Sequence, residues 1–287
     1  MPQLDREEYI EQAYFFRTFR ERLLEETPSQ DILADVREEI LATTKLPLAI
    51  DVLRGEVMLK GRMSDGMAAL GHYFTTFQTY IMGMAEEDRA RFDQSTALEI
   101  LEREARYRGE QPTAAGLFIY QFECLARNRL GYEKGMAAIA ADGFYSPDWH
   151  DWILLTRSRL GAHEFADMIY FRSEYFVEER RRKTNPPNDR STAPVLFTRQ
   201  EGRIAKAHRG KDPLYLFAAM QRHLNYPAIP RTLRADDQHQ LPTHLELRLQ
   251  RLEKRLQLLE SEQKGKLDLS EFYAKPPKFT DDEEPTI

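Results

Sequence analysis

Apolar positions recur at spacings of three and four from the start of the chain to about residue 182, with few alternating β-branched runs. Side chains repeating every 3.6 residues share one helix face, so the pattern predicts helices near 5–26, 28–43, 47–60, 64–84, 93–108, 112–130, 132–141, 147–160 and 162–182. Several starts carry their own chemistry. Thr27 is placed to cap, with Pro28 at the first helical position and Gln30 reaching back. Ser64 and Ser146 are set to do the same, the latter followed by Pro147 and Asp148. Gly109, Gly131, Gly143 and Gly161 fall where helices end or turn tightly. Connections this short predict an antiparallel multi-helix bundle. No fixed repeat period is present.

The pattern changes after Arg182. Residues 183–242 read as a basic, proline-rich linker interrupted by one short helix near 212–225, capped by Asp212 and started by Pro213. From Thr243 to Gly265, Leu245, Leu249, Leu252, Leu256 and Leu259 follow one another at 4-3-4-3 spacing, the seam of a coiled-coil helix. Residues 266–287 are acidic and broken by prolines, and read as a disordered tail. The expected fold class is therefore all-α, with a helical body over 1–182.

Two helices are apolar over most of their girth, and each sets an arginine inside its aromatic arc. Taking Tyr9 as zero on a wheel of about 100° per residue, Phe16 and Leu23 lie near it and Arg20 falls at about 20°. With Phe165 as zero, Ile169 and Phe176 share a face and Arg172 lies at about 340°. An unpaired buried guanidinium is costly, so each must either meet a carboxylate, send its head to water, or face a pocket that binds an anion. The structural alternatives are the favoured reading; Arg20 and Arg172 are the candidate ligand-binding residues if they fail.

Charge alters this picture in one respect. The net charge of −6 conceals a body with 20 Lys and Arg against 32 Asp and Glu over residues 1–179, then 13 against 3 over 180–234. Arg180, Arg181, Arg182, Lys183, Arg203, Lys206, Arg209 and Lys211 form a basic strip suited to phosphate backbones or to an acidic protein surface. Aromatics are sparse among these bases and no nucleic-acid-binding module is readable, so a strip lying on the protein's own acidic body or on an acidic partner is favoured over nucleic acid. The first residues lack an apolar leader, and the longest apolar run, near Ala114–Tyr120, is far below a membrane span. A single cysteine, Cys124, excludes an internal disulfide and sits where a small buried hydrophobe belongs. A cytoplasmic protein is expected.

Motifs of catalysis are weak. Glu-x-x-His, the inward pair of carboxylate-bridged metal bundles, is absent: Ala69, Pro147 and Leu160 stand three residues before His72, His150 and His163. His163-Glu-x-x-Asp167 retains half of a zinc-protease pattern, with Asp167 in place of the second histidine. Asp148, His150 and Asp151 cluster between two tryptophans, but acids in a first turn serve the helix dipole. No phosphate loop, nucleophile elbow or Cys–His set occurs. No cofactor is expected. The expected role is a non-enzymatic interaction or scaffold protein that self-associates or recruits a partner through the leucine seam. A nucleic-acid-associated protein and a ligand-binding bundle are the alternatives.

Overall fold

The computed structural model describes residues 4–87, 92–183 and 193–232. Among them the apolar periodicity is realised as thirteen α-helices and two isolated β-bridges, with no strand, so the chain is all-α there. In order these are α1 (Arg6–Leu24), α2 (Ser29–Glu39), α3 (Leu46–Lys60), α4 (Met63–Ala69), α5 (Thr76–Ala85), α6 (Gln94–Gly109) and α7 (Ala114–Asn128). There follow α8 (Tyr132–Ala140), α9 (Pro147–Arg159), α10 (Phe165–Tyr170), α11 (Glu174–Lys183), α12 (Arg199–Ala207) and α13 (Pro213–Leu224). The chain divides after Thr232. The leucine seam and the acidic tail lie in the second part, outside the described residues.

The opening helix is a wall of the core. Phe15, Phe16 and Phe19 are fully buried, with the rings of Phe15 and Phe16 5.2 Å apart at a tilt. Its most extensive partner is α6, which is not its neighbour in sequence, while α2 with α3, α3 with α4, α4 with α5, and α8 with α9 pack as successive pairs. α7 is enclosed on most sides: Leu117, Phe118, Ile119, Tyr120 and Cys124 have no exposure, and the Tyr120 hydroxyl donates to the Ile100 carbonyl at 2.9 Å. A helix so apolar has no solvent face to keep.

Two predicted helices are each broken in two, for local reasons. The run read as 64–84 stops at Ala69 and restarts at Thr76, where Thr75 and Gln78 form a reciprocal capping box. The start of α4 is capped from a distance: the Glu86 carboxylate accepts from the amides of Met63 at 2.6 Å and Ser64 at 3.0 Å, and Ser64 is not the cap. The run read as 162–182 breaks at 171–173. There the Arg172 carbonyl accepts from the amides of Leu196 (2.9 Å) and Phe197 (3.1 Å), and a bridge joins Ser173 to Phe197. Ser173 then caps α11 by accepting from Phe176 N at 3.3 Å. The Thr27 cap also does not form. Pro28 is extended (ψ 136°), and α2 begins at Ser29 without a side-chain cap.

The described body extends past 182, through the region read as a linker. Phe197, Ala205, Leu216, Phe217, Met220 and Tyr226 are buried in the same core as the earlier helices. α12 packs on α10 and α11, and α13 packs on α7 and α12. Basic residues marked this stretch as solvated, yet their spacing leaves one apolar face on each helix, and that face is what the core uses. Approach is close: a Cβ at Gly202 would stand 2.1 Å from the Ser173 hydroxyl.

Candidate functional site

The two arginines singled out by their wheel positions have different surroundings. Arg20 reaches from α1 to α6, where Glu99 holds it at 3.0 Å and Glu102 at 3.3 Å. Those carboxylates also serve Arg103 and Arg106 of their own helix, so Arg20 belongs to a ladder that staples α1 to α6. Arg172 stands in the break between α10 and α11, half-buried. Its Nη1 donates to the Pro194 carbonyl at 3.4 Å, and no carboxylate lies within ion-pair distance of it among the described residues.

Arg172 lines a cleft of about 120 Å³ between α9 and α10. On α9, Trp152, Thr156 and Arg159 follow one another a helical turn apart on the lining face. From the turn and the other wall come His163, Met168 and Phe171. Trp152 (3% exposed), Thr156 (1%) and Met168 (8%) are its buried side, while Arg159, His163 and Phe171 are exposed. The wall behind is rigidly packed: the Trp152 ring meets Phe118 at 5.0 Å and Phe197 at 5.1 Å, both edge-on.

The electrostatics are those of an unfilled demand. Arg159 has no carboxylate within ion-pair distance among the described residues either. Burial holds the Arg172 guanidinium below its ordinary range and the Arg159 charge lowers it further, with Asp148 opposing both. The Arg172 guanidinium nonetheless stays charged at neutral pH, because arginine is not deprotonated in proteins. The Thr156 hydroxyl is buried without a hydrogen-bond partner, although a helical threonine ordinarily bonds a carbonyl one turn back. Asp167, also on the lining, is committed to the Arg209 guanidinium. Two cations beside an apolar floor, with an unpartnered hydroxyl buried in its wall, are suited to holding an anion.

Two larger grooves carry less chemistry. One of about 320 Å³ runs past Arg17 and Arg106, but Arg106 is held by Glu102 at 2.8 Å and Arg17 lies over the Tyr14 ring. The other, about 400 Å³, includes Arg108, whose guanidinium is taken by Glu104 at 3.0 Å and by Asp142. Size favours these grooves. The cleft is preferred because its cations have no carboxylate within ion-pair distance among the described residues.

The remaining candidates are distributed as follows. Lys206 pairs with Glu179 at 2.5 Å and lies over the rings of Tyr170 and Tyr175, and Arg209 lies over Tyr170 and Phe171. Arg203 meets Gln200 at 3.5 Å, Arg182 meets Glu178 at 3.9 Å, and Arg180, Arg181 and Lys211 are exposed. Lys183 ends α11. Much of the basic strip thus lies along the body's own acids. Leu245, Leu249, Leu252, Leu256 and Leu259 lie outside the described residues. His150 Nδ1 stands 3.1 Å from Asp151 on the surface, and burial pushes the Cys124 thiol well up, away from the reactive thiolate. Among the described residues no three His, Cys, Asp or Glu side chains are grouped to hold a metal, and no helix is long and apolar enough to cross a membrane.

Thr156, Arg159, Trp152 and Met168 were not legible as a site. The one signal was the stripe 152, 155, 156 and 159, an apolar face that ends in a hydroxyl and a guanidinium. Comparison with protein-family models, curated proteins and solved structures finds no match for this chain.

Proposed function

We propose that this protein is a non-enzymatic helical binding protein, whose body receives an anionic group in the cleft between α9 and α10. One observation carries the reading: Arg159 and Arg172 share the cleft without a carboxylate partner among the described residues. The exposed Arg159 charge acts against the half-buried Arg172 guanidinium, and an anion between them relieves that cost. The test uses intrinsic fluorescence, since both tryptophans of the chain, Trp149 and Trp152, stand on α9. Acetate, hexanoate, phosphate and sulfate are titrated in turn at constant ionic strength. At least one should saturate the signal, and Arg172→Gln should weaken it by about tenfold or more, the loss of one charged hydrogen bond. If none of the four saturates, or if Arg172→Gln and Arg159→Gln bind as the parent does, the reading fails.

A second reading rests on the leucine seam. Three heptads with leucine at both seam positions leave an apolar stripe that another chain can cover, which favours an antiparallel helical body that self-associates or recruits a protein through residues 243–265. Changing Leu252 and Leu256 to Asp should then lower the mass measured by light scattering. An unchanged mass, and unchanged co-purifying partners, would remove this reading.

A further inference from the structure

The class of anion follows from what surrounds the two guanidinium groups. A site for an inorganic oxyanion is polar throughout, because phosphate or sulfate offers oxygen on every side and gains nothing from apolar walls. Here the polar atoms occupy only part of the lining. The rest is the Trp152 indole, the Leu155 side chain, the Met168 thioether and, at the lip, the half-exposed Phe171 ring. A phosphate held by Arg159 and Arg172 would leave that surface against water.

Volume limits the other part of the ligand. An apolar cavity of about 150 Å³ takes a benzene ring, so a cleft of about 120 Å³ has room for about four or five carbons when the charged head lies at its open side, by the exposed Arg159. The head must be flat enough for a guanidinium fork and small enough for one hydroxyl to reach it. A carboxylate meets both conditions, accepting paired N–H bonds from arginine and one O–H bond from threonine. Two cations, with the nearby Asp167 already committed to Arg209, favour a ligand without a cation of its own.

We infer that the cleft takes an organic monocarboxylate with a short apolar body, its carboxylate between Arg159 and Arg172 and its carbons against Trp152 and Met168. This rests on the anion-binding reading above and narrows it. In such a complex the Thr156 hydroxyl gains the partner it lacks.

The experiment is a series on the full chain, read by tryptophan fluorescence: acetate, butyrate, hexanoate, hexanol and inorganic phosphate at one ionic strength. Affinity should rise from acetate to hexanoate by roughly fourfold for each methylene that enters the cleft. Hexanol should bind at least tenfold more weakly than hexanoate. Thr156→Val, nearly isosteric, should keep the parent's urea midpoint or raise it, and should weaken hexanoate severalfold. A hydroxyl with a merely structural role would leave hexanoate affinity unmoved, and that result overturns its assignment as a ligand contact. Phosphate binding as tightly as hexanoate, with the same dependence on Arg172, would overturn the carboxylate class while leaving the anion site standing. Hexanol binding as well as hexanoate would overturn it too. Silence from every anion would remove the site altogether.

Discussion

At the scale of single residues, the arginines show how the same sequence context leads to different ends. Arg20 and Arg172 have nearly the same place on their helical wheels, yet one is answered by Glu99 and Glu102 and the other, among the described residues, by a carbonyl. A third, Arg108, is the most deeply set. It is almost fully enclosed with Glu104 and Asp142, and Gln121 donates to the same Glu104 oxygen at 2.7 Å. Burial by itself would favour a neutral Arg108; the two carboxylates outweigh it and keep it charged. Arg108→Met would leave both acids in the core without a cation, at a cost of about 3–5 kcal/mol. A urea midpoint close to the parent's would show that the network carries little. Glu104 has the opposite balance: burial raises its pKa, and Arg108 only partly offsets this. A carboxyl raised above its unfolded value binds its proton more readily when folded. Its contribution is therefore full in acid and is lost as pH rises from the ordinary carboxyl range through the raised value. Glu104→Gln keeps an acceptor for Gln121 and removes that loss. The stability of the variant relative to the parent should thus increase as pH rises above the ordinary carboxyl range, measured by urea unfolding.

At the scale of elements, burial decides more than hydrophobicity does. α3 turns Leu46, Ile50 and Leu53 fully inward, while Leu48 (71% exposed) and Leu59 (81%) face out of the described body. Leu53→Ala should cost about 2–5 kcal/mol, the transfer term plus a cavity. Leu59→Ala should stay within about 0.5 kcal/mol. Thermal denaturation of the two single variants checks the contrast, and equal losses would mean that Leu59 is covered in the folded protein. Helix ends follow local chemistry where the cap is sequential, as at Thr75 with Gln78 or Thr198 with Glu201. They escape it where the cap is remote, as with Glu86 on the amides of Met63 and Ser64. That is why the split of 64–84 had a readable signature in Thr75-x-x-Gln78, whereas the break at 171–173 had none. It depends on backbone donors of Leu196 and Phe197, more than twenty residues downstream.

At the scale of the whole described body, residues 193–232 are structural members. Phe197 sits against both tryptophans at 5.1 Å, and Phe217 packs on Phe122 and Phe165 at 6.0 Å. A chain ending at 182 should lose its cooperative thermal transition, since those rings and Met220 would go with the deleted helices. One ending at 232 should keep both its helical signal and a single steep transition, followed by circular dichroism and tryptophan fluorescence together. Survival of the transition in the shorter chain would show that α12 and α13 are appendages. Along the chain alone, the all-α class, most helix positions and the apolar girth of α1 were legible, because backbone hydrogen bonding and the 3.6-residue period act within a few residues. Where each charge finds its partner was not. Glu99 and Arg20, or Arg209 and Asp167, meet only after distant helices pack, and ion pairing depends on distance in space. The cleft belongs to that second kind: α9 and α10 supply its side chains, but only the folding back of 194–197 onto Arg172 sets that arginine in place beside it.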